Sequence, residues 1–150
     1  MEYSQILSQN KLFEGIPEEI LAAIAEVSEE ITLTKGRPAF VEGSEAEHVF
    51  ILLEGELDIQ VSLASMPGSV TVAVINLPNQ SFGWSGIVPP YNYTASALCK
   101  TDCRILAIDG KKLIQVLQQK PESGFIVMQR IAELIARRLR NSRIALLKIL

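Results

Sequence analysis

The chain of 150 residues is poor in the side chains that most often bind metal ions, with one histidine and two cysteines. Cys99 and Cys103 flank a short polar turn, and His48 lies far from them in the sequence. A structural zinc site needs four ligands, and no second cysteine or histidine pair exists to complete one. We expect both cysteines to be small core residues, with a disulfide across the turn as the alternative.

Motifs of catalysis are also missing. The sequence contains no G-x-S-x-G elbow, no G-x-G-x-x-G fingerprint and no Walker A loop. A hydrolase triad would have to be built on His48, and a metal-dependent β-barrel enzyme would need several histidines. We therefore expect a protein that is not an enzyme, with no cofactor or metal that the sequence makes certain.

Long apolar runs are absent too. No segment approaches the roughly 20 consecutive apolar residues of a membrane-spanning helix, and the N-terminus lacks the basic and apolar regions of a secretion signal. The composition, 48% hydrophobic and 21% charged, is that of an ordinary globular protein. We expect one domain over residues 1–150, located in the cytoplasm, with no membrane contact.

The net charge of −3 is unevenly distributed. Residues 1–120 carry 8 basic and 15 acidic side chains, whereas residues 121–150 carry 6 basic and 2 acidic ones. The basic residues of the second part are Arg130, Arg137, Arg138, Arg140, Arg143 and Lys148. They form either a solvated face that complements the acidic body or a basic strip for nucleic acid or an anionic ligand.

The residue periodicity changes along the chain. Helical spacing predicts two short helices near 3–9 and 17–27. From about 28 to 109, short apolar or alternating runs separated by glycine and proline turns predict seven or eight strands, with residues 78–92 irregular. Strands at a spacing of roughly ten residues favour a sandwich or a barrel.

The last third of the chain is predicted to be helical. A short helix near 110–118 ends before Pro121, and a long helix follows over about 122–148. Because this helix is longer than a domain of this size needs, we expect it to form a homodimer, with packing onto its own barrel as the alternative. One side of it carries an apolar row, here called the seam, made of Met128, Ile131, Ile135, Leu139, Leu146 and Ile149.

Four segments are similar to those of one known family. FVEG at 40–43 and VFILLEGEL at 49–57 resemble the strand-turn signatures of cyclic-nucleotide-binding domains. LPNQSFG at 77–83 resembles the stretch before that family's phosphate-binding cassette, and ARRL at 136–139 resembles the dimerisation helix of its catabolite-activator branch. The resemblance covers about residues 10–148. It implies a mainly β fold, a double-stranded β-helix (jelly-roll-like β-roll) with short N-terminal helices and a long C-terminal helix.

The resemblance also implies where a ligand would bind. In the family's cassette an acidic residue just after Phe-Gly contacts the ribose, and an arginine about nine residues later clamps the cyclic phosphate. The corresponding positions here hold Trp84 and Tyr93. Losing one partner of a buried charge pair costs about 2–5 kcal/mol. Cyclic AMP or cyclic GMP is therefore disfavoured as a cofactor or ligand, and at most weakly retained.

This divergent cassette still predicts a ligand site. Its glycines would let a ligand approach the backbone closely, and its aromatic rings favour a flatter or less charged ligand. The alternative is that Trp84 and Tyr93 fill the old cavity as core residues. The candidate binding residues are Phe82, Gly83, Trp84, Ser85, Gly86, Tyr93, Thr94 and Ala95, with Ser142 and Arg143 as candidate contacts from the long helix.

Relatives in the catabolite-activator branch carry a helix-turn-helix domain after the long helix, whereas this sequence stops at Leu150. We therefore expect no direct DNA binding. Two functions stay open at this point. One is a stand-alone, homodimeric sensor module that passes a small-molecule signal to a separate protein partner. The other is a ligand-free interaction or scaffold domain that dimerises through the C-terminal helix.

Overall fold

Eight strands flanked by helices make up residues 2–149, the part of the chain that the computed structural model describes. The helices are α1 (Glu2–Ser8), α2 (Glu18–Glu26), α3 (Gly110–Gln119) and α4 (Pro121–Ile149). The strands are β1 (Ser28–Leu33), β2 (Pro38–Phe40), β3 (His48–Glu54), β4 (Leu57–Ser62), β5 (Ser69–Ile75), β6 (Ser81–Phe82), β7 (Ser96–Cys99) and β8 (Cys103–Asp109). A four-residue 3-10 helix, Trp84–Ile87, lies between β6 and β7.

The strands form two antiparallel sheets, in the orders β1-β8-β3-β6 and β2-β7-β4-β5. The predicted fold class is confirmed: the protein is mainly β, with short helices before the β-roll and a long helix after it. The sequence analysis missed β6 and the 3-10 helix, which lie within the segment expected to be irregular. Elements of two to four residues are too short to show a period.

Two clusters of buried side chains form the core. One lies between the first sheet and the helices, with Phe13 and Leu106 among its members. The other fills the inside of the roll around Phe50. Cys99 and Cys103 belong to this second cluster and are both buried and free. Their predicted role as small core residues is confirmed.

The buried residues of helix α4 all lie in its first half, on one side of the helix. Val127 and Ile131 are at most 2% exposed and pack in the protein's own core. Arg130 donates hydrogen bonds of 3.2 and 2.5 Å to two carbonyl oxygens between α1 and α2. Residues 139–149 are all exposed. The seam is therefore divided, with Ile131 buried against the body and Leu146 and Ile149 exposed. Helices within residues 2–149, α4 included, lack the apolar run needed to cross a membrane.

Two glycines with left-handed backbone illustrate how the turns permit the roll to form. Gly55, between β3 and β4, has a φ of +113°. A Cβ at this position would lie 2.6 Å from the carbonyl oxygen of Asp102 and 2.7 Å from Sγ of Cys103. Gly36 has a φ of +90°, but nothing lies within 4 Å of a Cβ placed there. Position 55 thus requires glycine for two reasons: the backbone has a positive φ, and neighbouring atoms leave no room for a Cβ.

We predict that Gly55→Ala destabilises the protein more than Gly36→Ala does. Both substitutions place a side chain in the left-handed region, at a cost of about 1–2 kcal/mol. Only Gly55→Ala also forces Cβ against neighbouring atoms, which adds about 1–3 kcal/mol. Urea unfolding of the two variants and the wild type measures the difference. Equal losses of unfolding free energy would show that close packing at Gly55 is unimportant.

Candidate functional site

A cleft of about 330 Å³ lies between the inside of the roll, the 3-10 helix and α4. This volume is within the range of small-molecule sites. Helix α4 contributes one side of its surface, namely Ile135, Arg138, Leu139 and Ser142. The remaining lining residues are Phe40, Ile59, Phe82, Gly83, Trp84, Ser85, Val88, Tyr93, Thr94 and Ala95. The cleft therefore connects the divergent cassette directly to the long helix.

Stacked aromatic rings form the inner wall of the cleft. The ring centroids of Phe40 and Tyr93 are 3.9 Å apart, with 12° between the ring planes. Phe40 also stacks on Phe50 at 5.7 Å, and Phe50 stacks on Phe82 at 5.3 Å. Such pairs contribute about 0.5–1.5 kcal/mol each beyond the burial of their surface. The wall is thus apolar and held in place by its own packing.

The two glycines of the cassette have different surroundings. Gly83 has a φ of +74°, and a Cβ there would lie 2.9 Å from Cδ2 of Phe50 and 3.1 Å from Cε2 of Phe40. Gly83 therefore lets the backbone approach the aromatic wall. Gly86 packs against the carbonyl group of His48, where a Cβ would overlap it, and does not line the cleft. This differs from the prediction that Gly86 would face a ligand.

Tyr93 occupies the position where the family resemblance implies an arginine. It is 5% exposed, and its hydroxyl donates a 2.7 Å hydrogen bond to the carbonyl oxygen of His48. Burial raises the pKa of Tyr93 to about 12, because the charged phenolate would lose its hydration. A neutral phenol whose proton is already donated cannot provide the charge-assisted bonds that an arginine gives to a phosphate.

Trp84 and Arg138 meet at the side of the cleft next to α4. Nε1 of Trp84 donates a 3.2 Å hydrogen bond to Oγ of Ser81, which orients the indole ring. Cζ of Arg138 lies 4.8 Å from the centroid of the Trp84 ring, a cation–π distance. The Arg138 side chain is half-buried, and burial lowers its pKa. Within residues 2–149, Arg138 is the one charged side chain that lines this cleft.

The structure places most of the predicted site residues around the cleft. Arg143 is an exception, since it is exposed and lies about 100° around the helix from Ser142, which does line the cleft. Arg138, one turn before Ser142, is the arginine that reaches the cleft instead. The cassette residues that line it are Phe82, Gly83, Trp84, Ser85, Tyr93, Thr94 and Ala95.

Sequence reasoning missed Arg138 as a site residue. The sequence could have indicated Arg138, because residues four positions apart, such as Arg138 and Ser142, lie on the same side of a helix. Also missed as cleft residues were Phe40, Ile59, Val88, Ile135 and Leu139. The described residues, 2–149, hold no group of three or more histidine, cysteine or acidic side chains arranged for a metal ion. The binding groups of the cleft are apolar surfaces, a few hydroxyls and one cation.

The segment that builds the roll and the cassette matches a known family. The model of the family described as "Cyclic nucleotide-binding domain" matches residues 30–120, more than half of the chain. The chain belongs to the cyclic nucleotide-binding domain family. Trp84 and Tyr93 both lie within the matched segment.

Individual relatives agree with this assignment. A protein from Geobacter metallireducens, assigned to the cyclic nucleotide-binding proteins, is 29% identical with a TM-score of 0.74, over 93% of this chain and 99% of that one. A cyclic nucleotide-binding domain from Methylobacillus flagellatus has a TM-score of 0.81 at 19% identity, over 99% and 83%. A CRP-like cAMP-activated global transcriptional regulator from Mycobacterium tuberculosis is 24% identical over 138 residues. That match covers 92% of this chain and 59% of the regulator.

Because the Tyr93 hydroxyl is buried, we predict that the wild type loses unfolding free energy at alkaline pH and that a variant without this hydroxyl does not. Folding raises the pKa of Tyr93 from about 10 to about 12, so the unfolded chain loses this proton first as the pH rises. The stabilisation is complete below about pH 10 and declines between about pH 10 and 12. Tyr93→Phe removes the hydrogen bond to His48, at a cost of about 1 kcal/mol at neutral pH.

We therefore expect the stability gap between wild type and Tyr93→Phe to shrink by about 1 kcal/mol between pH 9 and pH 11. Urea unfolding at both pH values measures it. Tyr91→Phe, which changes an exposed ring, is the matched control and should follow the wild type. A gap that stays constant would mean that the Tyr93 hydroxyl is not buried as described.

Proposed function

We propose that this protein is a ligand-responsive regulatory module of the cyclic nucleotide-binding domain family, with a ligand that differs from the family's cyclic nucleotides. The observation that carries the proposal is the open cleft of about 330 Å³, which is lined by the cassette on one side and by α4 on the other. If Trp84 and Tyr93 had filled the old cavity, no such space would remain between them. A cleft beside the sole tryptophan favours a sensor over a scaffold.

The side chains that line the cleft support a ligand other than a cyclic nucleotide. Tyr93 is neutral and hydrogen-bonded within the protein, and Trp84 has no carboxylate for a ribose hydroxyl. A cyclic nucleotide in the ordinary binding mode would therefore lose both of its charged partners in the cassette. A flat, largely apolar ligand would instead gain contacts with the rings of Phe40 and Tyr93.

The distal part of α4 supports a homodimer. Leu139, Leu146 and Ile149 are 56%, 56% and 82% exposed, and they lie on the same side of the helix. An apolar row of this kind on a projecting helix is normally covered by a second copy. Two residues of the seam, Ile135 and Leu139, also line the cleft. A ligand would thus contact the helix that forms the dimer.

The signal would then pass to a separate protein partner in the cytoplasm. A ligand can change the position of α4 only if it binds one position of the helix more tightly than another. The contacts at Ile135 and Leu139 offer such a difference, because they move with the helix. The alternative function, a scaffold that dimerises without a ligand, draws its support from the tight Phe40–Tyr93 stack, which keeps the wall in place by itself.

A titration followed by Trp84 emission tests the ligand. We expect no saturable change with cyclic AMP or cyclic GMP in the micromolar range, because the arginine alone is worth about 2–5 kcal/mol. Calorimetry confirms each result. Saturation at micromolar concentration would contradict the proposal and would identify an unorthodox cyclic-nucleotide receptor.

The variant Tyr93→Arg is the control for that titration, since it restores the cassette arginine and keeps Trp84 as the reporter. We expect its affinity for cyclic AMP to exceed that of the wild type by roughly tenfold or more. A thermal melt of the variant shows whether it is folded. If a folded variant binds no better, the missing arginine is not what weakens the site.

Two substitutions at neighbouring residues, which lie on different sides of α4, test the proposed homodimer. Leu146→Glu places a charge in the seam and should convert the dimer to a monomer, because an unpaired buried charge is strongly unfavourable. Leu147→Glu changes a neighbouring residue on another side of the helix, which is 69% exposed against 56% for Leu146, and should leave the dimer intact. Light scattering after size exclusion gives the mass of each variant. A wild-type protein that is monomeric at tens of micromolar would contradict this part of the proposal.

A further inference from the structure

A second open pocket, of about 320 Å³, shares the Phe40–Tyr93 stack with the cleft. Phe40 and Tyr93 line both spaces, whereas Trp84 and the residues of α4 line only the cleft. The other lining residues of the second pocket belong to β2, to β3 and to the loop of residues 41–47 between these strands. The two spaces are therefore different candidate sites that share one aromatic wall.

Rings make up the apolar part of the second pocket. Phe40, Phe50 and Tyr93 line it, together with His48, whose ring centroid is 5.9 Å from that of Phe50. The stacking of Phe40 on Tyr93 at 3.9 Å and on Phe50 at 5.7 Å holds these rings in place. The faces of aromatic rings carry partial negative charge, so several rings around one pocket favour an organic cation.

Two carboxylates line the second pocket without a counter-charge within residues 2–149. They belong to Glu45 and Glu47, and no lysine or arginine of the described chain lines the pocket with them. The ion pairs formed among the described residues involve neither carboxylate. Burial raises the pKa of Tyr93 most, and the negative charge of Glu47 raises it further. The charge of Glu47 therefore acts on the same ring wall that a ligand would contact.

We propose that this second pocket binds an organic cation, a quaternary or protonated amine whose apolar substituents lie against the rings of Phe40 and Phe50. The positive charge is attracted by the ring faces and by Glu45 and Glu47. Because both carboxylates are exposed, water and salt weaken their share of the attraction, and the rings select a bulky ammonium group. Neither Trp84 nor α4 contributes to this pocket, so the site does not depend on the proposed function.

Two phenols of the same shape separate charge recognition from apolar binding. (3-Hydroxyphenyl)trimethylammonium is a cation, and 3-tert-butylphenol has carbon in place of the ammonium nitrogen and is neutral. Each is titrated at low ionic strength into the isotope-labelled protein, and two-dimensional amide NMR gives both the dissociation constant and the location of binding. The backbone amides of residues 44–48 report on the second pocket, and the indole N–H of Trp84, the sole tryptophan, reports on the cleft.

We expect the cation to shift the amides of residues 44–48 with a dissociation constant below about 10 mM, and the neutral phenol to bind about tenfold more weakly. The double variant Glu45→Gln/Glu47→Gln should weaken binding of the cation by about threefold or more and change binding of the neutral phenol by less than about twofold. Glu18→Gln/Glu19→Gln is the matched control, because it removes two charges from exposed positions on α2. It should bind both phenols as the wild type does, and the amide spectrum shows that each variant is folded.

Each other outcome contradicts the proposal. If neither phenol shifts the amides of residues 44–48 at concentrations up to about 10 mM, the pocket is not a site for these ligands. If both phenols bind equally well, or if the two double variants weaken the cation equally, the pocket carboxylates do not recognise charge. If the cation shifts only the indole N–H of Trp84, it binds in the cleft, and the result then supports the cleft of the proposed function instead of the second pocket.

Discussion

The attachment of only the first half of α4 to the body is the constraint on which the rest of the structure depends. Val127 and Ile131 are buried in the core, and Arg130 fixes the same turn to the backbone between α1 and α2. These contacts set the rotation of the helix about its own axis. That rotation alone decides that Arg138 and Ser142 face the cleft and that Arg143 does not.

Under the proposed function, Tyr93 and Trp84 would change the kind of site rather than remove it. Tyr93 stacks on Phe40 and donates a hydrogen bond to the backbone of its own roll, so it stabilises the wall of the cleft. Trp84 presents its ring to Arg138. An aromatic wall of this kind would disfavour a hydrated, strongly charged ligand.

Much of the fold could be predicted from the sequence, because alternating strands, glycine turns and a long apolar helix row are local signals. Seven of the eight expected cassette residues line the cleft for the same reason, since they are close together in the chain. Gly86 and Arg143 could not be placed in this way. Their environments depend on how the 3-10 helix packs against β3 and on the rotation of α4, which only tertiary contacts determine.

The overlap between the cleft and the seam limits how a ligand could act. Ile135 and Leu139 belong to both, so under the proposed function a ligand in the cleft and a second copy of the helix would contact the same two side chains. A ligand that prefers one arrangement of the two helices by tenfold would shift the balance between them by about 1.4 kcal/mol. Ile131 is buried in the core, whereas residues 139–149 are exposed. Under the proposed function, a response to a ligand would therefore fall on the distal half of α4.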